Sequence, residues 1–298
     1  MAQPRIFRIS LATAVVSSLA GLLGLSPFAV GQSLSETSPT IESRASSDTK
    51  VLVLPGPVTP AHPASEPPPQ SPPPPERTAP VARALTSAQK AWVLAASALL
   101  TESNHERHDT LGGGPQTAAH LAATRRVLRG QWDITDRASL LAVLTALDEE
   151  GHRQAFAVVG ERVSRLSAEE FQATLAAPGM NGNLAHSLLV ARDNYEKLGH
   201  RSLIGWDYSR YISLCRWGYL VGSLTEEEAW QRVMHAAQII QGTFASWREL
   251  GENYLIGRDF WSYEATRRDG QIMRATYQEL LRKPQSPWNQ IPWNLDLE

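Results

Sequence analysis

The sequence predicts an all-α fold: a single multi-helix globular domain placed after a signal peptide and a disordered Pro-rich linker. Three observations carry this. Every tryptophan lies at or beyond Trp92, while twelve of the twenty prolines fall between Pro55 and Pro80. Apolar residues beyond that linker recur at helical spacing behind repeated capping signals. No run of alternating β-branched residues asks for a sheet, so helix packing is the way left to bury the core.

The N-terminus comes first. Arg5 and Arg8 precede an uncharged stretch from Ile9 to Val30, the pattern of an export signal. Ala29 and Gly31 are small residues at positions suited to cleavage after Gly31, so residues 1–31 read as a signal peptide. The alternative is an uncleaved signal anchor, because the run is about the 20 residues that span a bilayer. Either reading places the chain in the periplasm or beyond, secreted or anchored in the inner membrane. Residues 32–84 are rich in Ser, Thr, Pro and Ala and include nine residues of P-P-P-Q-S-P-P-P-P from Pro67 to Pro75. Proline fixes φ and lacks a donor, so a solvated polyproline II spacer is expected here.

Residues 85–298 hold the core. They carry 22 Lys/Arg against 25 Asp/Glu, a net charge of −3, which offers no clustered basic footprint for nucleic acid. Cys215 is the only cysteine, so neither an intrachain disulfide nor a multi-cysteine zinc site is available.

Helix signals follow in order. Thr86 with Gln89 forms a capping box ahead of Trp92, Ala95, Ala96, Leu99 and Leu100. Gly112-Gly113-Gly114-Pro115 breaks the chain before a second amphipathic stretch to Leu128. Asp136 opens a helix with Leu140, Leu141, Val143, Leu144 and Leu147 as its stripe and Gly151 as its stop. Ser167 with Glu170 is another box, and Pro178-Gly179 and Asn181-Gly182 mark a loop.

The stretch from Ile204 to Trp261 holds five of the nine tryptophans. Ser202 is expected to cap its first helix, on which Ile204, Tyr211, Leu214, Cys215, Gly218 and Val221 share a face at about 100° per residue. Asp207 falls near the centre of that face, Arg210 lies on its flank, and Arg216 projects oppositely, where solvent is expected. Gly218 in the seam calls for a closely packed neighbouring helix. Thr225 with Glu228 and Ser246 with Glu249 give two further boxes. Beyond the second, Trp247, Leu250, Gly251, Tyr254 and Trp261 face one way with Arg258 among them. A lone buried charge is prohibitive, so Asp207 is expected to meet Arg210, Arg258 or both in a buried polar cluster.

The motifs W-D-x-x-R (Trp206–Arg210), R-W-G (Arg216–Gly218), S-W-x-E (Ser246–Glu249) and G-R-x-x-W (Gly257–Trp261), with the tail S-P-W-N-Q-I-P-W (Ser286–Trp293), resemble the bacterial family called domain of unknown function 1266. The resemblance covers about residues 132–297 and implies a mostly helical domain. It implies no activity.

Two functions are compatible with these residues. The first is a non-catalytic binding or scaffolding module in the cell envelope, with an envelope protein or peptide as partner. Trp206, Trp217, Trp247, Trp261, Trp288 and Trp293 are its candidate binding residues. The second is an envelope hydrolase or other enzyme, with Asp207 or Glu249 as acid/base and Arg210 or Arg258 as electrophile. No cofactor motif, nucleophile elbow, phosphate loop or H-E-x-x-H occurs. His105, His108 and Asp109 read as solvated loop residues rather than metal ligands, and Asp148-Glu149-Glu150 as a solvated run. Cys215 reads as an inert buried thiol. Trp288 and Trp293 lie in an extended tail and either plug the helices or line a groove.

Overall fold

The structure is a computed structural model and describes residues 84–298. The expected signal peptide (1–31) and the linker up to residue 83 lie outside the described residues. The helices are α1 Ser87–Ala95, α2 Ala98–Ser103, α3 Ala118–Trp132, α4 Arg137–Glu149, α5 Gly151–Ser164 and α6 Ala168–Leu175. They continue with α7 Gly182–Leu198, a 3-10 turn Gly199–Arg201, α8 Ile204–Leu220, α9 Glu226–Thr243, α10 Trp247–Trp261, α11 Tyr263–Arg282 and α12 Pro287–Gln290. Among the described residues there is no strand, as the sequence predicts.

Most helices start where their caps say. Thr86, Ser167 and Thr225 each accept from the backbone N–H three residues on, and Gln89, Glu170 and Glu228 reach back, completing three capping boxes. Asp136 forms the same box with Ser139. Two expectations are corrected. Ser246 accepts from Glu249 N, but the Glu249 carboxylate turns to Ala245 N at 3.0 Å, so this box is only half formed. Ser202 does not cap α8, whose N-cap is Leu203 without a side-chain bond. Ser202 instead sits at φ +40 and donates its hydroxyl to Arg153 O.

The core is arranged around α8, which packs against α2, α3, α4, α5, α9 and α10. Fifteen of its seventeen residues are buried, so it has no solvent face to leave polar. Its polar residues must therefore find partners inside the protein. Ser209 donates to Ala96 O at 2.8 Å, and Ser213 to Ser209 O. Gly218 meets the expected close neighbour: a Cβ there would lie 2.5 Å from Leu140 Cδ2 of α4. Arg216 corrects the reading outright, for it is fully buried rather than solvated. No helix among the described residues is long and apolar enough to cross a membrane.

The C-terminal tail is fastened by indoles. Trp92, Trp247 and Trp288 donate to the carbonyls of Trp293, Ile291 and Ala95, each at 2.9 Å. The rings of Trp92, Trp247 and Trp293 pack at centroid separations of 4.7 to 5.2 Å, and Trp288 stacks on Trp247 at 6.2 Å. Gln241 adds bonds to Trp293 O and Leu295 O. Trp92 and Trp247 thus hold the tail's backbone from the helices, and Trp288 of the tail holds the end of α1 in return.

Candidate functional site

Two buried acid–arginine arrangements flank α8. The first centres on Asp207, in the first turn of α8 and fully buried. The preceding helix pair meets it at a sharp corner: α4 ends at Glu149, and Gly151 turns the chain with φ +58 into α5. The first N–H groups of α5 have no cap from Glu150. Asp207 supplies it from another helix, Oδ1 accepting from His152 N and Oδ2 from Arg153 N, both at 3.0 Å. A carboxylate facing a helix N-terminus is favoured by the orphan N–H groups and by the macrodipole. Gly151 makes the approach possible, because a Cβ there would lie 2.1 Å from Asp207 Oδ2.

The remaining lone pairs of Asp207 are taken by guanidinium groups, Arg210 Nη2 at 2.7 Å and Arg153 Nη1 at 3.4 Å. Arg153 also donates to Leu147 O and Asp148 O, closing the C-terminal end of α4. Arg210 lies 4.0 Å over the Trp206 ring and 5.4 Å from that of Trp132, a cation held between two indoles. Its Nη2 also donates to His152 Nδ1 at 3.0 Å, so that nitrogen is an acceptor and the imidazole is neutral. Burial, and then the Arg210 charge, push His152 well below its ordinary pKa. His152 Nε2, Trp206 Nε1 and Arg258 Nη1 are buried without a protein hydrogen-bond partner.

The candidate residues therefore divide. Asp207 and Arg210 meet as expected. Arg258 does not join them; it donates to Ala265 O and faces Asp269 at 3.6 Å. It sits beside Gly257, whose missing Cβ lets α10 press onto Trp206, and Trp261 packs on Trp206 at 5.9 Å. Glu249 lies elsewhere, half-exposed and 3.6 Å from Arg201. The W-D-x-x-R and G-R-x-x-W segments are thus neighbours through their tryptophans and glycine, not through an Asp207–Arg258 pair. Asp148 is less free than a solvated run implies, accepting from Tyr208 and His235. Cys215 is buried, and desolvation pushes its thiol far up, out of the reactive range.

The second arrangement opens to solvent. Asn104–Arg107, Gly113–Pro115 and the α3 residues His120, Ala123, Thr124 and Val127, with Trp217 of α8, line a cleft of about 340 Å³. Behind it lies Arg216. Its Nε donates to Leu111 O, Nη1 to Ser97 and Thr101 hydroxyls, and Nη2 to Arg107 O and Thr110 O. All five donors are used on neutral acceptors, pinning the loop 104–115 from inside. The counter-charge of Arg216 among the described residues is Glu106, whose Oε2 is 4.0 Å from Arg216 Nη2. Glu106 Oε1 accepts from Trp217 Nε1 at 2.7 Å, whereas Oε2 accepts no protein hydrogen bond. Burial pushes the Glu106 carboxyl up, offset only in part by Arg216, Trp217 and His120.

Of this cleft the sequence marked Trp217 as a candidate binding residue, His105 as solvated and Gly113-Gly114-Pro115 only as a chain break. Glu106, His120 and the inward turn of Arg216 were missed, as was His152. One signal was available: Ser209, Ser213 and Arg216 follow helical spacing, and two small residues on one face announce a close neighbour rather than solvent. Among the described residues no three His, Cys, Asp or Glu side chains gather as metal ligands. His108 pairs with Glu102 at 2.8 Å.

The described residues form an all-helical domain built on a central polar helix, with a closed acid–arginine cluster and an open cleft. This chain belongs to the family described as protein of unknown function (DUF1266), which residues 127–293 match. The segment includes Asp207, Arg210, Arg216 and Trp217, and begins after Glu106 and His120. The chain is similar to Uncharacterized protein YbeR of Escherichia coli strain K12, at 32% identity over 136 residues, 45% of this chain and 56% of that protein. It is also similar to Uncharacterized protein YbeU of the same strain, at 28% identity over 134 residues with the same coverage. The matched part of the chain thus spans about half the length of these curated relatives. No solved structure matches the chain.

Proposed function

We propose that this protein is a non-catalytic binding module and that its recognition site is the cleft beside Trp217 and Glu106. The observation that supports this is the contrast in hydrogen bonding. The Asp207 carboxylate is saturated by four donors and shut away from solvent. Glu106 lines an open cleft of about 340 Å³ with one oxygen unclaimed. That volume lies at the small end of ligand sites, and an accessible unpaired acceptor is what a ligand can complete. The basic N-terminus, apolar run and proline-rich spacer support an envelope setting, with the domain held off the membrane or released from it.

The test is retention on isolated bacterial envelope material, with products followed by mass spectrometry. Saturable retention without conversion, lost when Ala123→Trp fills the cleft, is expected. Release of products by the wild type, abolished in a folded Asp207→Asn variant, would instead establish an enzyme working through Asp207. Cell fractionation checks the setting; a full-length cytoplasmic protein contradicts export.

A further inference from the structure

Glu106 and His120 give the cleft acceptors that no protein donor fills. Glu106 Oε2 takes no protein hydrogen bond. His120 Nδ1 lies 3.0 Å from Pro115 O, and a carbonyl only accepts, so Nδ1 carries a proton and the matching neutral tautomer has its lone pair on Nε2. The Thr124 hydroxyl spends its proton on His120 O. On the donor side, the Trp217 N–H is spent on Glu106 and two of the five Arg107 N–H groups on Asp109, while the Asn104 amide and the remaining Arg107 N–H groups are left over. A ligand that completes Glu106 and His120 must bring donors, and one that also accepts can meet Asn104 and the remaining Arg107 N–H groups.

Charge narrows the class. A cation approaching Glu106 also meets the buried Arg216 guanidinium 4.0 Å from the same oxygen. An anion meets Glu106 itself. The pair is neutral taken together, so a full charge of either sign gains little. Besides Asn104, His105 and Arg107 at one side, the rest of the wall is apolar or small: Pro115, Ala123, Val127, Gly113–Gly114 and Trp217.

We infer that the cleft binds a small neutral saccharide, its hydroxyl or acetamido N–H groups donating to Glu106 Oε2 and His120 Nε2, with a C–H face against Val127 and Ala123. This rests on the cleft being the recognition site. Sugars unite the two properties the walls ask for, several neutral donors on a ring with apolar faces. Gly113 belongs to the design: it sits at φ +70, and a Cβ there would be 2.9 Å from Glu106 Oε2, crowding the free acceptor.

The experiment titrates the full chain with four probes sharing one ring: glucose, N-acetylglucosamine, glucosamine and glucuronate. The Trp217 indole N–H, assigned through Trp217→Phe, is followed by NMR because it bonds to Glu106. Saturable shifts with a neutral sugar are expected, weakened about tenfold in Glu106→Gln through loss of a charged acceptor and absent in Ala123→Trp, which alters an exposed α3 position. If Glu106→Gln melts early, Ala123→Trp decides alone. Shifts only with glucosamine or glucuronate, still abolished by Ala123→Trp, overturn the neutral-sugar inference while leaving the cleft as the site. Binding unaffected by Ala123→Trp overturns both. No response to any probe overturns the saccharide class, and the envelope retention assay then judges the cleft by itself.

Discussion

The two acid–arginine pairs on α8 use the same side-chain chemistry to opposite ends. At Asp207 the anion is saturated: two backbone N–H groups and two guanidinium groups fill its oxygens. At Arg216 the cation is saturated: five neutral acceptors fill its donors, and its counter-ion Glu106 stands 4.0 Å off with an oxygen free. A saturated carboxylate stitched into a helix N-terminus fixes register and has nothing left to offer a ligand. An unsaturated one at the rim of a cleft does. What separates a lock from a site here is which partner of the ion pair the protein has completed, not how deeply the pair is buried.

The largest effect should come from breaking the first pair. Asp207→Ala strands Arg210 between two indoles and uncaps α5, a loss of about 3–5 kcal/mol, and equilibrium denaturation should find the variant largely unfolded or sharply destabilised. Glu106→Ala leaves the five hydrogen bonds of Arg216 intact, removes a counter-charge 4.0 Å away and the acceptor of the Trp217 N–H, and should cost about 1–2 kcal/mol. Equal losses would erase the distinction between the two pairs. Gly151→Ala comes next. It forces a left-handed residue, about 1–2 kcal/mol, and drives Asp207 back from a 2.1 Å contact, so its melting temperature should fall further than that of Gly179→Ala. Gly179 shares the positive φ, at +88, with open space around it.

A smaller effect sharpens the comparison through pH. His152 has a depressed pKa in the folded state, so below the unfolded value of about 6.5 the unfolded chain binds the extra proton and stability is lost as pH falls. Between pH 7.5 and 5.5 wild type should lose about 1 kcal/mol relative to His152→Asn. Glu106 has the opposite sign: its raised pKa adds stability fully present below the unfolded carboxylate value, and lost as pH rises through the folded one. A Glu106→Gln protein should lack that second component. Smallest is the tail: Trp288→Phe keeps an aromatic six-membered ring but loses the N–H that bonds to Ala95 O, about 1 kcal/mol in thermal melts for the hydrogen bond.

The helices could be read in the residues because caps and periodicity are local. Thr86, Ser167 and Thr225 announce their helices within four residues, whereas the carbonyls that receive the indole N–H groups of Trp92, Trp247 and Trp288 are set by the tertiary fold. Asp207 with Arg210 could also be read, since an i,i+3 pair on one helix needs no tertiary knowledge. Its real partners could not. The N–H groups of His152 and Arg153 lie more than fifty residues away and reach Asp207 only because Gly151 lets the backbone close in. Arg216 was misread for a related reason: on a helix buried all round, the side opposite the apolar face is another interface. The cleft needs Glu106, Arg216 and the α3 residues brought together by folding, and no spacing in the chain records that.

Hydrogen exchange at the His152 and Arg153 amides tests most directly whether Asp207 is a lock. Measured in Asp207→Asn against Glu106→Gln under native conditions, a structural cap predicts that both amides lose most of their protection only in Asp207→Asn, with a stability loss near 3 kcal/mol. Unchanged protection of these amides in a folded, fully stable Asp207→Asn protein would contradict it.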